Sequence, residues 1–415
     1  MLRNGCLVLR LSRSQSIVLY RIDGIDQAKF RVPRQLRKTH AMDSLIRPAL
    51  HVQGCWAHGF GFHFAVADPD LKKDTTTNLE VIARMSESIY KKHGGLPLTL
   101  VLLQDNTCRE CKNQLILKVV AKWVILEIHK HVWLVYPEKG HSHGPLDAVY
   151  GQATVKLGNS EFDNDEEVVA LLQKFLDTGS LEPGTEDNAV AYKLDQAATW
   201  VKWAEDDFAF ACSNLTGKHA PHSFHICLRQ DLGADELQAQ RTFWKDAPPP
   251  HSGDVVVALR ANMSDRKAFQ VALLVTHEQV KRLRNHVQVL PNGIHARRPF
   301  SWSDREKVTR QAKACYANNA ISQKTHTYLT EWCQSTLKQH KRPKEYGFLR
   351  HRWSENTAGD SVELAETAAR YLSPKWEKKP RLILVVPKSK RGDLEPEPAE
   401  DHGNAPLTVL RDEIV

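Results

Sequence analysis

The sequence predicts an α/β protein built on a mixed five-stranded sheet with helices on both faces, followed by a second mixed α/β region. Three observations lead to this fold class. Runs of β-branched and apolar residues alternate with longer segments of helical spacing, in the order β-β-β-α-β-α-β-α. Apolar residues make up 41% of the chain, which is too many for a disordered protein, and its 415 residues are long enough for two or three domains. No apolar run reaches the roughly 18 residues that a membrane span needs, so we expect no membrane-spanning segment.

The first three strands are predicted from composition and turn signals. Residues 16–22 are rich in β-branched and apolar residues and end at the turn signal Asp23-Gly24. Residues 48–57 and 59–67 are separated by little more than His58, which is typical of a hairpin. We therefore expect these three strands to be antiparallel neighbours.

Helices and strands then alternate. Apolar spacing predicts helices over 78–93 and 107–128, and the continuous apolar run 98–103 between them is typical of a strand buried on both faces. A fifth strand over 131–136 leads through a loop into a helix that begins at Leu146 or Asp147 and runs to about residue 157. An acidic patch at 161–167 then opens a further helix that ends near residue 178.

Beyond residue 160 the composition suggests further divisions. The tripeptide Pro248-Pro249-Pro250 is typical of a hinge before the strand-like runs 254–260 and 269–275, and a last strand is predicted over 381–386. We divide the chain into a short tail (1–15), a main domain (16–160), a helical or mixed extension (161–247), a basic mixed region (251–387) and a disordered tail (388–415).

The net charge of +8 is concentrated in one segment. Residues 281–356 contain 16 Lys and Arg against 5 Asp and Glu, with Trp and Tyr side chains among them. This pattern suits phosphate neutralisation and base stacking, so DNA is the expected partner; a solvated helical face is the alternative. Eight cysteines are too few for a disulfide scaffold, which favours an intracellular protein, and a DNA partner favours the nucleus over the cytoplasm. Homo-oligomerisation stays open.

Three aspartates stand where this order of elements would gather them. Asp23 ends the first strand, Asp105 ends the fourth, and Asp147 opens the helix after the fifth. If the first and fourth strands are parallel neighbours, Asp23 and Asp105 emerge from the same sheet edge, where open α/β sheets bind ligands. Each residue alone has a structural alternative, because Asp is common in turns and at helix N-caps.

Converging carboxylates repel one another, and a hard divalent cation relieves that repulsion while keeping them ionised. We therefore expect Asp23, Asp105 and Asp147 to bind Mg²⁺, with Mn²⁺ as a substitute. Two such ions about 3.5 to 4 Å apart would activate a water or hydroxyl for in-line displacement at phosphorus, which is nuclease or strand-transfer chemistry.

Three sequence blocks carry a family resemblance. IDGIDQAKFRVPR (22–34), LQDNTCRECKN (103–113) and GHSHGPLDAVYG (140–151) resemble the signature blocks of a transposon-associated domain family of unknown function. With the order of elements, they resemble the RNase H-like superfamily of polynucleotidyl transferases, which includes DDE/D transposases and retroviral integrases. The resemblance covers residues 16–160 and implies catalytic roles for Asp23, Asp105 and Asp147. Because little sequence precedes residue 16, we expect a fragment or a domesticated or inactive derivative.

Several assignments around this site stay open. Asp26 could replace Asp23 as the first ligand. Polar residues near the site are candidates for contact with nucleic acid, with a polar helix face or exposed loop as the alternative; they are Asn106, Arg109, Lys112, Asn113, His141 and His143.

Two other functions compete with the nuclease. His141, His143 and Asp147 could form a zinc metallohydrolase site, which would leave Asp23 and Asp105 without a role. A non-catalytic nucleic-acid-binding protein that retains the fold is the other alternative. The lone pair Cys108 and Cys111 has no second pair at zinc spacing, which favours two buried thiols over a structural zinc site.

Overall fold

The computed structural model describes residues 17–25, 30–36, 42, 45–67, 69, 71–105, 111–137, 145–179, 185–207, 209–210, 221–233, 236, 250–261, 265, 268, 270–285, 291, 302–334, 346–350 and 352. These residues form nine strands, eight α-helices and three short 3₁₀ helices. The strands are β1 (Ile17–Gly24), β2 (His51–Ala57), β3 (Gly61–Ala67), β4 (Thr99–Gln104), β5 (His131–Val135), β6 (Ala189–Leu194), β7 (Ser223–Leu228), β8 (Val255–Arg260) and β9 (Gln270–Val275).

The helices follow the predicted order and continue beyond it. They are α1 (Thr75–His93), α2 (Gln114–Ile125), α3 (Pro145–Gly158), α4 (Asp165–Thr178), α5 (Trp200–Glu205), α6 (His277–Asn285), α7 (Trp302–Ala317) and α8 (Gln323–Gln334), and the 3₁₀ helices are Glu186–Asn188, Arg229–Asp231 and Gly347–Arg350. Side-chain caps fix several of the helix starts. Asp74 accepts from the backbone N–H groups of Thr76 and Thr77, and Gly94 ends α1 with φ of 73°, a left-handed conformation that favours glycine.

All nine strands form one mixed sheet in the order β6-β3-β2-β1-β4-β5-β7-β8-β9. β1 pairs antiparallel with β2 and parallel with β4, and β4 pairs parallel with β5. β2 and β3 form the predicted hairpin. The mixed α/β fold class is therefore confirmed, and the first and fourth strands are parallel neighbours.

The sheet is larger than the predicted five strands. β6 adds to one edge by pairing parallel with β3, and β7, β8 and β9 extend the other edge as an antiparallel series beyond β5. The strands that the sequence indicated over 254–260 and 269–275 thus continue the same sheet. The strand predicted over 381–386, the tails and most of the Pro248–Pro250 hinge lie outside the described residues.

Helices cover both faces of the sheet, as predicted. On one face, α1, α2, α5 and α6 pack on the sheet around the largest buried apolar cluster, which also takes in Phe348 and Leu349 near the end of the described chain. On the other face, α3 and α4 pack against β2 and β3. Burial of these apolar surfaces provides the main stabilisation of the fold, at roughly 25 cal/mol per Å².

Helices α7 and α8 form a hairpin beside the second face. Val308, Ala312 and Leu329 form its small apolar core together with Met42 and Leu45. Polar contacts attach it to the start of α4, because the Thr325 hydroxyl donates to the Asp163 carboxylate at 2.7 Å. The predicted basic segment therefore contains a folded helical hairpin.

Candidate active site

The sheet brings two of the three predicted aspartates to the same edge. In the parallel pair β1 and β4, Ile22 is aligned with Gln104. Asp23 and Asp105 are the residues that follow this aligned pair, so they lie side by side at the carboxyl ends of adjacent strands. Asp23 was expected at the end of the first strand and is the penultimate residue of β1. Its side chain is half-buried, whereas Asp105 is exposed. This is the edge at which open α/β sheets bind ligands.

A tyrosine on α3 attaches that helix to the end of β1. The Tyr150 hydroxyl donates to the backbone carbonyl of Asp23 and accepts the backbone N–H of Gly54 at 2.9 Å. A Cβ at residue 54 would lie 2.5 Å from this hydroxyl, so only glycine allows the approach. Asp147 precedes Tyr150 by three residues and therefore lies on the same side of α3. The contact directs the first turn of α3, with Asp147, towards Asp23.

The three carboxylates interact electrostatically. Burial raises the pKa of Asp23 to about 6, in opposition to the hydrogen bond that its carboxylate accepts from the Gly24 N–H at 2.7 Å. Repulsion from Asp147 and Asp105 raises this pKa further, and the cation of Lys73 lowers it. The structure therefore brings all three predicted aspartates into one charge cluster.

Two residues of this cluster were missed by sequence reasoning. Lys73 lies near Asp23, although no cation was expected among the carboxylates. His51, the first residue of β2, packs against Gly24, where a Cβ would lie 2.9 Å from its Cε1 atom. Burial, and then the charge of Lys73, lower the pKa of His51 to about 3, so its imidazole is neutral. Neither residue belongs to a motif: the pairing of β2 with β1 places His51 here, and Lys73 reaches the site from the loop before α1.

The residues before α2 correct one prediction. The helix was expected from residue 107, but it begins at Gln114, and Asn113 is its N-cap. The Asn113 side chain accepts from the N–H groups of Leu115 and Ile116 and donates to the Thr75 hydroxyl at 2.7 Å. The ammonium of Lys112 lies 5.4 Å from the ring centroid of Tyr136. The observed contacts of Asn113 are thus structural.

Other candidate residues lie outside the described part of the chain. They are Asp26, Asn106, Cys108, Arg109, His141 and His143. The alternative zinc set of His141, His143 and Asp147 therefore stays a prediction. Cys111 is buried and its sulfur accepts from the Asn78 amide at 3.5 Å.

The donor set of the cluster is suited to a hard divalent cation. Three carboxylates against one described lysine leave negative charge at an edge where Asp105 is exposed to solvent. Asp23, Asp105 and Asp147 could hold Mg²⁺ or Mn²⁺, since both ions prefer oxygen ligands. Such an ion would relieve the repulsion that raises the pKa of Asp23.

The fold and this site define a mixed α/β protein with a carboxylate cluster at the carboxyl edge of its parallel strands. Residues 40–241, slightly less than half of the chain, match the family model described as Domain of unknown function (DUF7869). This segment contains Asp105 and Asp147 and begins after Asp23. No curated protein and no solved structure matches the chain. Among the described residues, no helix is long and apolar enough to span a membrane.

Proposed function

We propose that this chain is an RNase H-like protein that binds Mg²⁺, or Mn²⁺ in its place, through Asp23, Asp105 and Asp147 and cleaves or transfers DNA strands. The observation that carries this proposal is the electrostatic repulsion of Asp23, on β1, by both Asp105, which follows β4, and Asp147, on α3. The strand order β3-β2-β1-β4-β5 supports the RNase H-like assignment. A transposon-derived, domesticated origin rests on the three sequence blocks.

The residues of the chain have separable roles in this proposal. Asp23, Asp105 and Asp147 would hold a pair of divalent ions, which would supply an activated water or hydroxyl and positive charge for the leaving oxygen of the phosphodiester. Asp23 and Asp105 are fixed by neighbouring strands, and Tyr150 holds the turn of α3 that carries Asp147. Lys73 adds a positive charge at the edge that a DNA phosphate would approach.

Substitution of Asp105 tests this function. Because Asp105 is exposed, Asp105→Asn removes one ligand charge without disturbing the core. We expect wild-type protein to nick supercoiled plasmid DNA with Mg²⁺ or Mn²⁺, and the variant to lose at least about 100-fold in rate, as for removal of a group that stabilises transition-state charge.

The matched control removes the same charge elsewhere. Asp177→Asn changes an exposed carboxylate on α4 and should nick at the wild-type rate. Undiminished nicking by Asp105→Asn, or cleavage by wild type in the presence of a chelator, would exclude this site as the source of activity.

One observation favours a second candidate, a nucleic-acid-binding protein without cleavage activity. Lys307, Arg310 and Lys313 are exposed on α7 at intervals of three residues, so they lie along one side of that helix. Such a row of cations suits contact with a phosphate backbone. Salt-sensitive DNA binding with no cleavage under any divalent metal would favour this function over the nuclease.

A further inference from the structure

Two histidines and a cysteine meet between β5 and β7, away from the carboxylate cluster. Val132 is aligned with Ile226 in this antiparallel pair, which places His131 opposite Cys227 and puts His225 on the same face of the sheet. One potential ligand atom from each of His131, His225 and Cys227 lies within 4.8 Å of the others, and all three residues are buried. His131 is at the amino end of β5, whereas Asp105 follows the carboxyl end of the parallel strand β4.

The two imidazoles face each other through ring nitrogens. His131 Nδ1 and His225 Nε2 are 3.0 Å apart, a gap that holds one shared proton or, after a small opening, a metal ion. Two nitrogens on a tetrahedral zinc ion are about 3.3 Å apart, given Zn–N bonds of roughly 2.0–2.1 Å. The separation in the structure is thus close to what a metal requires.

The far side of the His225 ring is arranged as in many metal sites. Its Nδ1 lies 3.0 Å from a carboxylate oxygen of Glu236, which can only accept, so Nδ1 carries the hydrogen and the Nε2 lone pair points at His131. Arg260 holds the same Glu236 carboxylate at 2.6 Å, and Trp133 stacks on the His225 ring with centroids 4.1 Å apart. A carboxylate that orients a ligating histidine is a frequent outer partner of bound zinc.

A neighbouring hydroxyl gives a second, independent observation. Thr99 of β4 is aligned with His131 of β5 and is 2% exposed. Its Oγ1 has no hydrogen-bond partner among the residues that the structure describes. A buried hydroxyl of this kind is usually satisfied by water or an ion, and a metal beside His131, or water on that metal, would supply the partner.

We propose that His131, His225 and Cys227 form a buried transition-metal site, with zinc as the expected ion, that links β5 to β7. Two imidazole nitrogens and one thiolate are ligands that select zinc over Mg²⁺. The ion would join the strand series β7-β8-β9 to the central parallel strands, which gives it a structural role. Thr99 or a water molecule would complete the tetrahedron.

Cobalt titration of the full-length protein tests the site. Chelator-treated wild-type protein should bind Co²⁺ with a thiolate-to-cobalt charge-transfer band in the near ultraviolet, and an equal amount of Zn²⁺ should abolish the band. Excess Mg²⁺ should not, because a hard cation does not displace a thiolate-bound metal. Absence of the band in folded wild-type protein would overturn the proposal without reference to any variant.

Variants assign the band to particular sulfurs. Cys227→Ser should lose it, whereas Cys55→Ser, which changes another fully buried strand cysteine, should keep it. The double variant Cys108→Ser, Cys111→Ser should also keep it. Glu236→Gln should weaken Co²⁺ binding about 10- to 100-fold. A band that survives Cys227→Ser, or that disappears in the Cys108/Cys111 double variant, would contradict the assignment.

Asp105→Asn separates this site from the proposed nuclease. That variant should bind cobalt like wild type even if it no longer cuts DNA, because the two sites lie at opposite ends of the parallel strands. Loss of the cobalt band in Asp105→Asn would contradict a site formed by His131, His225 and Cys227.

Discussion

At the scale of single residues, Tyr150 links the candidate site to the fold. Its buried hydroxyl bonds to the Asp23 carbonyl and the Gly54 N–H. Tyr150→Phe keeps the ring but removes both bonds, so we expect the free energy of unfolding to fall by about 1–3 kcal/mol, as measured by urea denaturation. Because Asp147 would be held less firmly, Mn²⁺ affinity should fall too.

The control makes the same substitution at a tyrosine that does not contact Asp23 or Gly54. Tyr316→Phe removes the hydroxyl of a tyrosine that is 40% exposed on α7 and should leave both stability and Mn²⁺ affinity unchanged. Wild-type stability in Tyr150→Phe would mean that the two hydrogen bonds contribute nothing to folding, and the anchoring of α3 would need another cause.

The aspartates of the site could be predicted from the sequence, whereas the neighbouring Lys73 and His51 could not. Asp23 and Asp105 follow recognisable apolar strands, so the rule for parallel sheet edges predicts their meeting. Lys73 and His51 come from a loop and from the start of an antiparallel strand. Their positions depend on tertiary packing, for which local sequence carries no signal.

At the scale of elements, α7 allows a direct test of nucleic-acid binding. Changing Lys307, Arg310 and Lys313 to Gln preserves helix propensity and removes three exposed charges. If this row contacts phosphates, DNA affinity should fall, and the slope of log K against log salt should decrease by about 2 to 3. Fluorescence anisotropy with labelled duplex DNA over a range of salt concentrations measures both quantities.

A matched triple variant controls for net charge. Lys156, Lys174 and Lys202 are exposed on α3, α4 and α5, and their replacement by Gln removes the same total charge. That variant should retain most of the affinity and nearly all of the salt slope. Equal losses in the two triple variants would argue against a specific contact through α7.

The ends of helices and strands are harder to predict from the local residue pattern than their presence. Helix α2 was expected from residue 107 because the segment 107–128 has the length and apolar periodicity of a helix, yet the Asn113 side chain caps the helix and fixes its start at Gln114. Capping asparagines and ordinary polar residues look alike in a single sequence. The positions of the first five strands along the chain could be predicted, since each is a compact apolar run with turn residues around it.

For the molecule as a whole, additional strands pair with the two edge strands that a five-stranded sheet would leave exposed. β3 and β5 would present unpaired backbone groups, which favour association with other chains. Instead, β6 pairs with β3 and β7 pairs with β5. The sequence indicated the strands that became β8 and β9 but not their partners, because pairing between distant segments leaves no local pattern.

A buried carboxylate also joins distant parts of the chain. Glu80 on α1 pairs with Arg84 at 3.0 Å and accepts from the Trp200 indole N–H at 2.9 Å and the Ala198 N–H at 3.0 Å. The Tyr346 hydroxyl donates to the same carboxylate. One side chain thus connects the first helix, the segment before α5 and the last described segment.

Glu80→Gln should therefore lower the stability of the whole fold and not only loosen one contact. The amide cannot accept from all four donors, and the charge of the nearly buried Arg84 loses its partner, so we expect a loss of about 3 kcal/mol or more. Urea denaturation measures that loss, and hydrogen exchange should speed up together at residues 198–200 and 346–350.

The control variant is Glu205→Gln, which breaks a surface pair with Lys118 and should lower the free energy of unfolding by less than about 1 kcal/mol. If the two variants were equally stable, or if exchange at 346–350 stayed slow in Glu80→Gln, Glu80 would not be what holds these segments together.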